Sequence, residues 1–326
     1  MKRIFVTGAS GCIGHYVAEA LIQQTDYELF LLVRDPQKLK LDLQGRSGIH
    51  LIQGNLRQIQ RHRELLATMD GAVLLATAWG GAEETYDVNV TKTLQLVEFL
   101  TAGSCQQILY FSTESILDRH NNLLKEASEL GTDYIRTKFL CLQNLERLPA
   151  ADRITALFPS LVFGGDDTKP KSHITAGLPE VLRWLGLARF LKADASFHFV
   201  HGADIGQVVC QLLTHPESTP AAPNRGIPKL VLGSAPLAVD DAIAQLCAYF
   251  HKSIPFRIPL SIALAEVIIK VFRIEMAPWD RFCLSYRHFT HDRPVSPASF
   301  GLPTQAATLA DLMQVLQIPP TLNPKK

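Results

Sequence analysis

The stretch Arg3-Ile4-Phe5-Val6-Thr7-Gly8-Ala9-Ser10-Gly11-Cys12-Ile13-Gly14 runs from a short apolar strand through three glycines into a helical pattern. Glycines at 8, 11 and 14 allow a tight turn, let backbone N–H groups approach a diphosphate, and let a helix pack closely on the strand. The N-terminus of the helix that follows then faces the anion with its positive dipole end. The spacing is GxxGxxG rather than GxGxxG, and the Lys-Ser/Thr ending of a P-loop is missing. Its place between a first strand and a first helix makes the loop a dinucleotide cradle rather than a turn without a ligand. Thr7, Gly8, Ser10, Gly11, Cys12, Ile13 and Gly14 are the contact candidates.

Outward from this loop, apolar runs at 3–7, 29–33, 50–53, 72–76, 107–112 and 154–158 alternate with helical patterns at 15–23, 64–69, 88–101 and 134–148. Several runs are apolar on both faces, as buried parallel strands require. Strand–helix alternation implies right-handed βαβ units. The expected fold is α/β: a Rossmann-type doubly wound parallel sheet with a smaller, mostly helical C-terminal substrate lobe. Residues 1–165 and 203–235 are assigned to the dinucleotide-binding domain, and 166–202 and 236–326 to the lobe. Within that scheme 166–191 reads as irregular, and 204–214 with 229–232 as one more helix–strand unit. A loop with prolines at 216, 220, 223 and 228 joins those two. The apolar stretch 258–273 reads as a core helix of the lobe, with a membrane or partner surface as the alternative.

Composition narrows the function. Of 326 residues 47% are hydrophobic and 19% charged, enough for a large core and wrong for a disordered chain. A formal net charge of +1 without a basic run argues against nucleic acid as a partner. Six scattered cysteines without a CxxC pair read as thiols of a reducing compartment. The start is too short in apolar residues for a signal peptide, and no stretch reaches the roughly 20 residues of a membrane span. A cytoplasmic protein acting on a small molecule is the expectation.

At the end of the second strand, Val33-Arg34-Asp35-Pro36 places Arg34 where NAD enzymes usually carry an acid for the ribose diol. A guanidinium there suits a 2′-phosphate, so NADP(H) is favoured over NAD(H), with Lys38 assisting. Two other readings stay open: Arg34 stacking on adenine or lying in solvent, and Asp35 reaching the ribose. Farther on, Tyr134 and Lys138 lie four apart on one helix face. A nearby ammonium lowers a tyrosine pKa, which prepares the phenol for proton exchange with a substrate oxygen. Hydroxyls of Ser112 and Thr113 close the preceding strand.

On these residues the sequence resembles the extended short-chain dehydrogenase/reductases, the group that includes the NAD(P)-dependent epimerase/dehydratases. The resemblance spans roughly the first 240 residues. It rests on the glycine loop, Gly54-Asn55-Leu56, Ala76-Thr77-Ala78, Asn89-Val90, Ser112-Thr113, Tyr134 with Lys138, Phe158 to Gly164, and Phe199 to Asp204. It implies Tyr134 as general acid/base, Lys138 on the nicotinamide ribose, and Thr113 on the reacting oxygen. Asn55 and Leu56 would meet adenine, and Pro159 and Ser160 the nicotinamide. Ala76, Thr77, Ala78 and Asn89 would complete the cofactor contacts. It further implies a homodimer joined through helices flanking the sheet. Asn55 departs from the usual Asp, and Phe158 from a frequent Arg. The 33–36 turn is similar to the NADPH-dependent dihydroflavonol and cinnamoyl reductases. Residues 254–279 are faintly similar to the nucleotide-binding accessory subunit of respiratory complex I, which lacks the Tyr/Lys pair.

The expected activity is therefore an NADP(H)-dependent oxidoreductase moving hydride to or from a small carbonyl or alcohol. A nucleotide-sugar epimerase or dehydratase with tightly held NAD is the alternative, and a dinucleotide-binding scaffold or assembly factor without turnover is the third. His198-x-x-His201 and His288-x-x-His291 lack further ligands at usable spacing, so no metal is expected and they read as surface or pocket-wall residues. No Gly-x-Ser-x-Gly elbow is present. Trp79 and Trp184 suit either a substrate pocket or core packing.

Overall fold

The computed structural model describes residues 1–220 and 226–321. Seven parallel strands form the central sheet: β1 (Arg3–Thr7), β2 (Glu28–Val33), β3 (Ile49–Gln53), β4 (Gly71–Leu74), β5 (Gln107–Phe111), β6 (Ile154–Pro159) and β7 (Lys229–Leu232). Their order is β7-β6-β5-β4-β1-β2-β3. Successive side chains of a strand point to opposite faces, and both faces are buried except on the edge strand β3, where His50, Leu51 and Gln53 are exposed. Thus Phe5 of β1 with Ile108 and Tyr110 of β5 joins the core on one side, while Ile4, Val6, Leu109 and Phe111 join the core on the other. Each such side chain is worth roughly 1.5–3 kcal/mol of burial, which pins the register.

The flanking helices are α1 (Cys12–Gln24), α2 (Thr93–Thr101), α3 (Asp133–Leu145), α4 (His173–Arg183) and α5 (Gly202–Thr214). α1 and α5 pack so tightly that a Cβ on Gly206 would stand 2.6 Å from the Tyr16 carbonyl oxygen. Strand order reverses between β1 and β4, and in open α/β sheets ligands bind in the crevice above such a point. The loops leaving those two strands carry Gly8 and Ala76-Thr77-Ala78.

A third core cluster lies over this edge, built from α4, α6 (Val239–Tyr249) and α9 (Leu309–Val315), with Phe163, Phe199 and Leu312 among its buried members. Beside it run α7 (Ile262–Val271) and α8 (Pro278–Tyr286). No helix among the described residues is long and apolar enough to cross a membrane.

Several sequence expectations need correction. Residues 166–191 are not irregular: Ser172 caps α4 by accepting from the Thr175 N–H at 3.0 Å, and Leu185–Ala188 adds another turn. The 88–101 pattern begins in a wide π segment at Asp87–Lys92, and 64–69 shrinks to Arg63–Leu66. The 258–273 stretch is not a core helix. Ala265 is the buried residue of α7, while Val267 and Val271 are 57% and 69% exposed. Apolar composition all round the helix hid which face turns inward. Pro223 lies outside the described residues.

Two titrating groups at the start of α5 oppose each other. Burial raises the Asp204 carboxyl from its ordinary 3.8 to about 6. Burial also lowers His201 from 6.5 to about 4. The Asp204 contribution is present below pH 3.8 and lost as pH rises through about 6. The His201 contribution is present above pH 6.5 and lost as pH falls through about 4. Over this shared window they offset. Asp204→Asn keeps an acceptor for the Gln305 N–H yet removes one partner of the offset. Its melting temperature is expected to fall more steeply than wild type on acidification from pH 6.5 to 4, by the equivalent of roughly 1–3 kcal/mol. Parallel acid profiles for the two proteins would refute the assignment.

Candidate active site

A cleft of about 920 Å³ opens above the β1/β4 switch point. The glycine loop forms its floor. Gly8 has φ +75°, and a Cβ there would stand 2.7 Å from the Ala76 nitrogen. A Cβ on Gly14 would run into Gly8 and Ala9 backbone. These two glycines are needed by the fold itself. Gly11 differs: it is extended at φ −84°, ψ 172°, and a Cβ there meets only the Gly8 carbonyl oxygen at 3.4 Å, an ordinary contact. Its missing side chain keeps the N-terminus of α1 open toward the cleft, as an approaching diphosphate requires. Thr7, Ser10, Cys12 and Ile13 line the same floor, and Thr7 Oγ1 accepts from the Ala76 N–H at 3.2 Å.

Arg34 and Lys38 line one end, both exposed. Asp35 does not line the cleft; its Oδ1 accepts from the Gln37 N–H at 3.0 Å and caps the turn Pro36–Lys38. Asn55 and Leu56 line the wall beside them. The Asn55 Oδ1 accepts from the Arg57 N–H at 3.0 Å, so the side chain that replaces an acid here also caps a turn.

Ala76, Thr77 and Ala78 form the opposite wall. Asn89 does not line the cleft and stands behind that wall, 1% exposed. Its Oδ1 accepts from the Ala78 N–H at 2.8 Å and the Thr77 hydroxyl at 2.9 Å. Its Nδ2 donates to the Ala78 carbonyl and to Thr137 Oγ1 at 3.1 Å each. All four hydrogen-bonding sites of the amide are thus used. Asn89 fixes the β4 loop to α3 from behind the cleft wall. The π segment around it gives the backbone the extra width that turns this side chain inward.

Thr113, Tyr134, Lys138, Pro159 and Ser160 meet at the far end of the cleft. Thr132 caps α3, and from it Tyr134 and Lys138 project side by side. Lys138 is 3% exposed and donates from Nζ to the Phe111 carbonyl at 2.8 Å. Its Nζ lies 5.1 Å from the Tyr110 ring centre and 5.9 Å from that of Tyr134. Desolvation lowers this ammonium to about 8. The sequence expectation that Lys138 brings the Tyr134 phenol down is not met in this geometry. Desolvation pushes the phenol well up, and Thr113 is the neighbour that opposes it. Ser160 lines the cleft, and its Oγ is buried beside Gly233 without a hydrogen-bond partner.

Trp79 lies flat on Tyr134, with ring centres 3.7 Å apart and planes 13° apart, and its ring centre is 5.1 Å from that of His173 of α4. It is therefore a cleft residue. Trp184 is neither core nor cleft; it is 52% exposed and meets Phe272 edge-on. Sequence reasoning missed Lys171, Ser172, His173 and Ile174, which close the cleft from α4. The signal was Ser172, a capping residue three before Thr175. Of the histidines read as surface or pocket-wall residues, His198, His201 and His291 are buried: His198 Nδ1 donates to the Ser234 carbonyl at 2.8 Å, and its Nε2 accepts from the His291 N–H at 2.9 Å. Those bonds tie the C-terminal segment to the strand edge. His288 bonds Ser196 at 2.8 Å.

A strand–glycine–helix cradle beside a Thr/Tyr/Lys cluster is now in place. The sequence model described as the NAD dependent epimerase/dehydratase family matches residues 4–225.

The chain belongs to that family.

It stands among NAD(P)-dependent epimerases, dehydratases and reductases of the extended short-chain dehydrogenase type. No curated protein sequence matches it. Among solved structures it is similar to the terminal R domain of the myxalamid PKS-NRPS biosynthetic pathway, at 16% identity and TM-score 0.68, covering 97% of this chain and 91% of that one. It is similar to dTDP-glucose 4,6-dehydratase (rfbB) from Bacillus anthracis in complex with NAD, at 11% identity and TM-score 0.62, covering 97% and 96%. A third likeness is to UDP-glucose-4-epimerase (galE) from Stenotrophomonas maltophila with bound NAD, at 17% identity and TM-score 0.58, covering 88% and 98%. At these identities the likeness is one of fold.

Proposed function

We propose that this protein is an NADP(H)-dependent oxidoreductase that moves hydride between the cofactor and a small carbonyl or alcohol. The cleft suits such a dinucleotide through two observations: the α1 N-terminus kept bare by Gly11 and the hydroxyl–phenol–ammonium cluster. When bound, the nicotinamide supplies the hydride chemistry. Tyr134 gives a proton to the substrate oxygen or takes it back. Thr113 holds that oxygen. Lys138, held by the Phe111 carbonyl, places positive charge beside the phenol and the ribose site. Trp79, stacked on Tyr134, sheds water from the phenol.

The observation that carries the NADP(H) preference is the division of labour between adjacent residues. Arg34 lines the cleft, whereas the Asp35 carboxylate is turned away and spent on the Gln37 N–H. A 2′-phosphate would find a guanidinium there, and a bare ribose diol would find no acid. Arg34→Ser is expected to weaken NADPH binding by about 1.5–3 kcal/mol, roughly 10- to 150-fold, with NADH binding unchanged. Equal losses for both cofactors, or none, would remove the preference.

The fold neighbours with bound NAD favour a second reading, a nucleotide-sugar epimerase or dehydratase that retains its NAD. Mass spectrometry of the dinucleotide that copurifies separates the two. Retained NAD selects the epimerase reading, and exchangeable NADPH binding selects the reductase.

A further inference from the structure

A second cavity of about 420 Å³ adjoins the cleft, and Glu114, Ser115 and Leu161 line both. It is walled chiefly by Phe197, Val239, Leu260, Ala265, Trp279 and Phe289, from α6, α7, α8 and the short strands of the lobe. Three charged side chains line it: Arg287 donates to Asp194 at 3.4 Å, and the buried Glu114 carboxyl at the junction has its Oε2 3.5 Å from His291 Nε2. Ser115, at the junction, is the hydrogen-bond partner of Thr113, with their hydroxyl oxygens 3.3 Å apart. The chamber therefore borders the place where Thr113 and Tyr134 would hold a reacting group. Its size and apolar lining fall in the range of ligand sites, about 300–1,000 Å³ and mostly hydrophobic. A nucleotide diphosphate would need cations and donors, and the single guanidinium in the chamber is already paired.

Resting on the oxidoreductase reading of the first cleft, we propose that the chamber receives an apolar tail of the substrate. The substrate class is then a ketone, aldehyde or alcohol whose oxygen lies at Thr113 and Tyr134 and whose hydrocarbon substituent runs past Glu114 and Ser115 toward Trp279. Each methylene moved from water into such a site tightens binding about fourfold, the equivalent of about 0.8 kcal/mol.

Binding of methyl ethyl ketone and methyl octyl ketone to the full chain, measured by calorimetry with and without NADPH, tests this. The long ketone is expected to bind at least about 100-fold more tightly, a conservative share of the fourfold per methylene. Ala265→Phe, which fills the chamber, should erase most of that difference while short-ketone and NADPH binding persist. Val239→Phe, from another helix, gives the same readout should the first variant fold poorly. Equal affinity for the two ketones, or a chain-length preference untouched in a folded variant, overturns the proposal. Absence of NADPH binding strikes the oxidoreductase reading instead, and a long-ketone preference would then still identify the chamber's ligand class.

Discussion

Tyr134→Phe is expected to lower turnover by about 10²- to 10⁴-fold while leaving the fold and dinucleotide binding intact. The phenol lies in contact with Trp79 on one face, and the ring itself, not its hydroxyl, makes that stack. Phenylalanine keeps the ring, so packing is preserved and only the proton-carrying atom goes. General acid–base catalysis by a positioned side chain is worth about 10²- to 10⁴-fold, and a loss in that range is the expectation for kcat. Burial pushes the phenol up from its ordinary value, and the Thr113 hydroxyl opposes the shift. A comparison of kcat/KM with the NADPH dissociation constant decides the matter. A variant with unchanged turnover would remove Tyr134 from the chemistry, and a variant that also lost cofactor binding would make its role one of positioning.

How far the site was legible follows from how local its signals are. The glycine loop needs only one strand and one helix turn, and Tyr134 with Lys138 only one helix face, so both are written in a few adjacent residues. Six of the seven strands were likewise visible as apolar runs; in five of them burial on both faces leaves no polar alternation to confuse with a surface strand, β3 is a partly exposed edge, and β7 appeared as part of a later helix–strand unit. What escaped depends on distant pairings. His198 and His291 meet across 93 residues, and nothing near either one signals the other. The α4 wall of the cleft was hidden by Pro179 inside the helix and by sparse apolar residues, since only Leu178 and Leu182 with Thr175 turn inward. Asn89 was found as a motif residue, and the structure places it behind the cleft wall rather than on it. An amide that can contact a ligand looks the same in sequence as one whose donors and acceptors are all spent on Thr77, Ala78 and Thr137.

The glycine loop supports a sharper experiment, because its glycines are required for different reasons. Gly14→Ala places a methyl against the Gly8 carbonyl and within 2.8 Å of the Ala9 Cα, and backbone atoms cannot rotate away as a side chain would. The expected cost is at the upper end of the roughly 1–3 kcal/mol of overpacking, seen as a lowered melting temperature with or without cofactor. Gly11→Ala meets no such obstacle, and its φ of −84° suits any residue. Its fold should therefore survive with at most about 1 kcal/mol lost at the helix cap. What the added methyl blocks is the approach of a diphosphate to the first turn of α1, and dinucleotide affinity should fall by at least about 100-fold, close to 2.7 kcal/mol. The pair separates a glycine kept for the protein from one kept for its ligand. Should Gly11→Ala bind NADPH as well as the parent protein does, the diphosphate does not lie against this turn, and the cofactor assignments built on the loop fall with it.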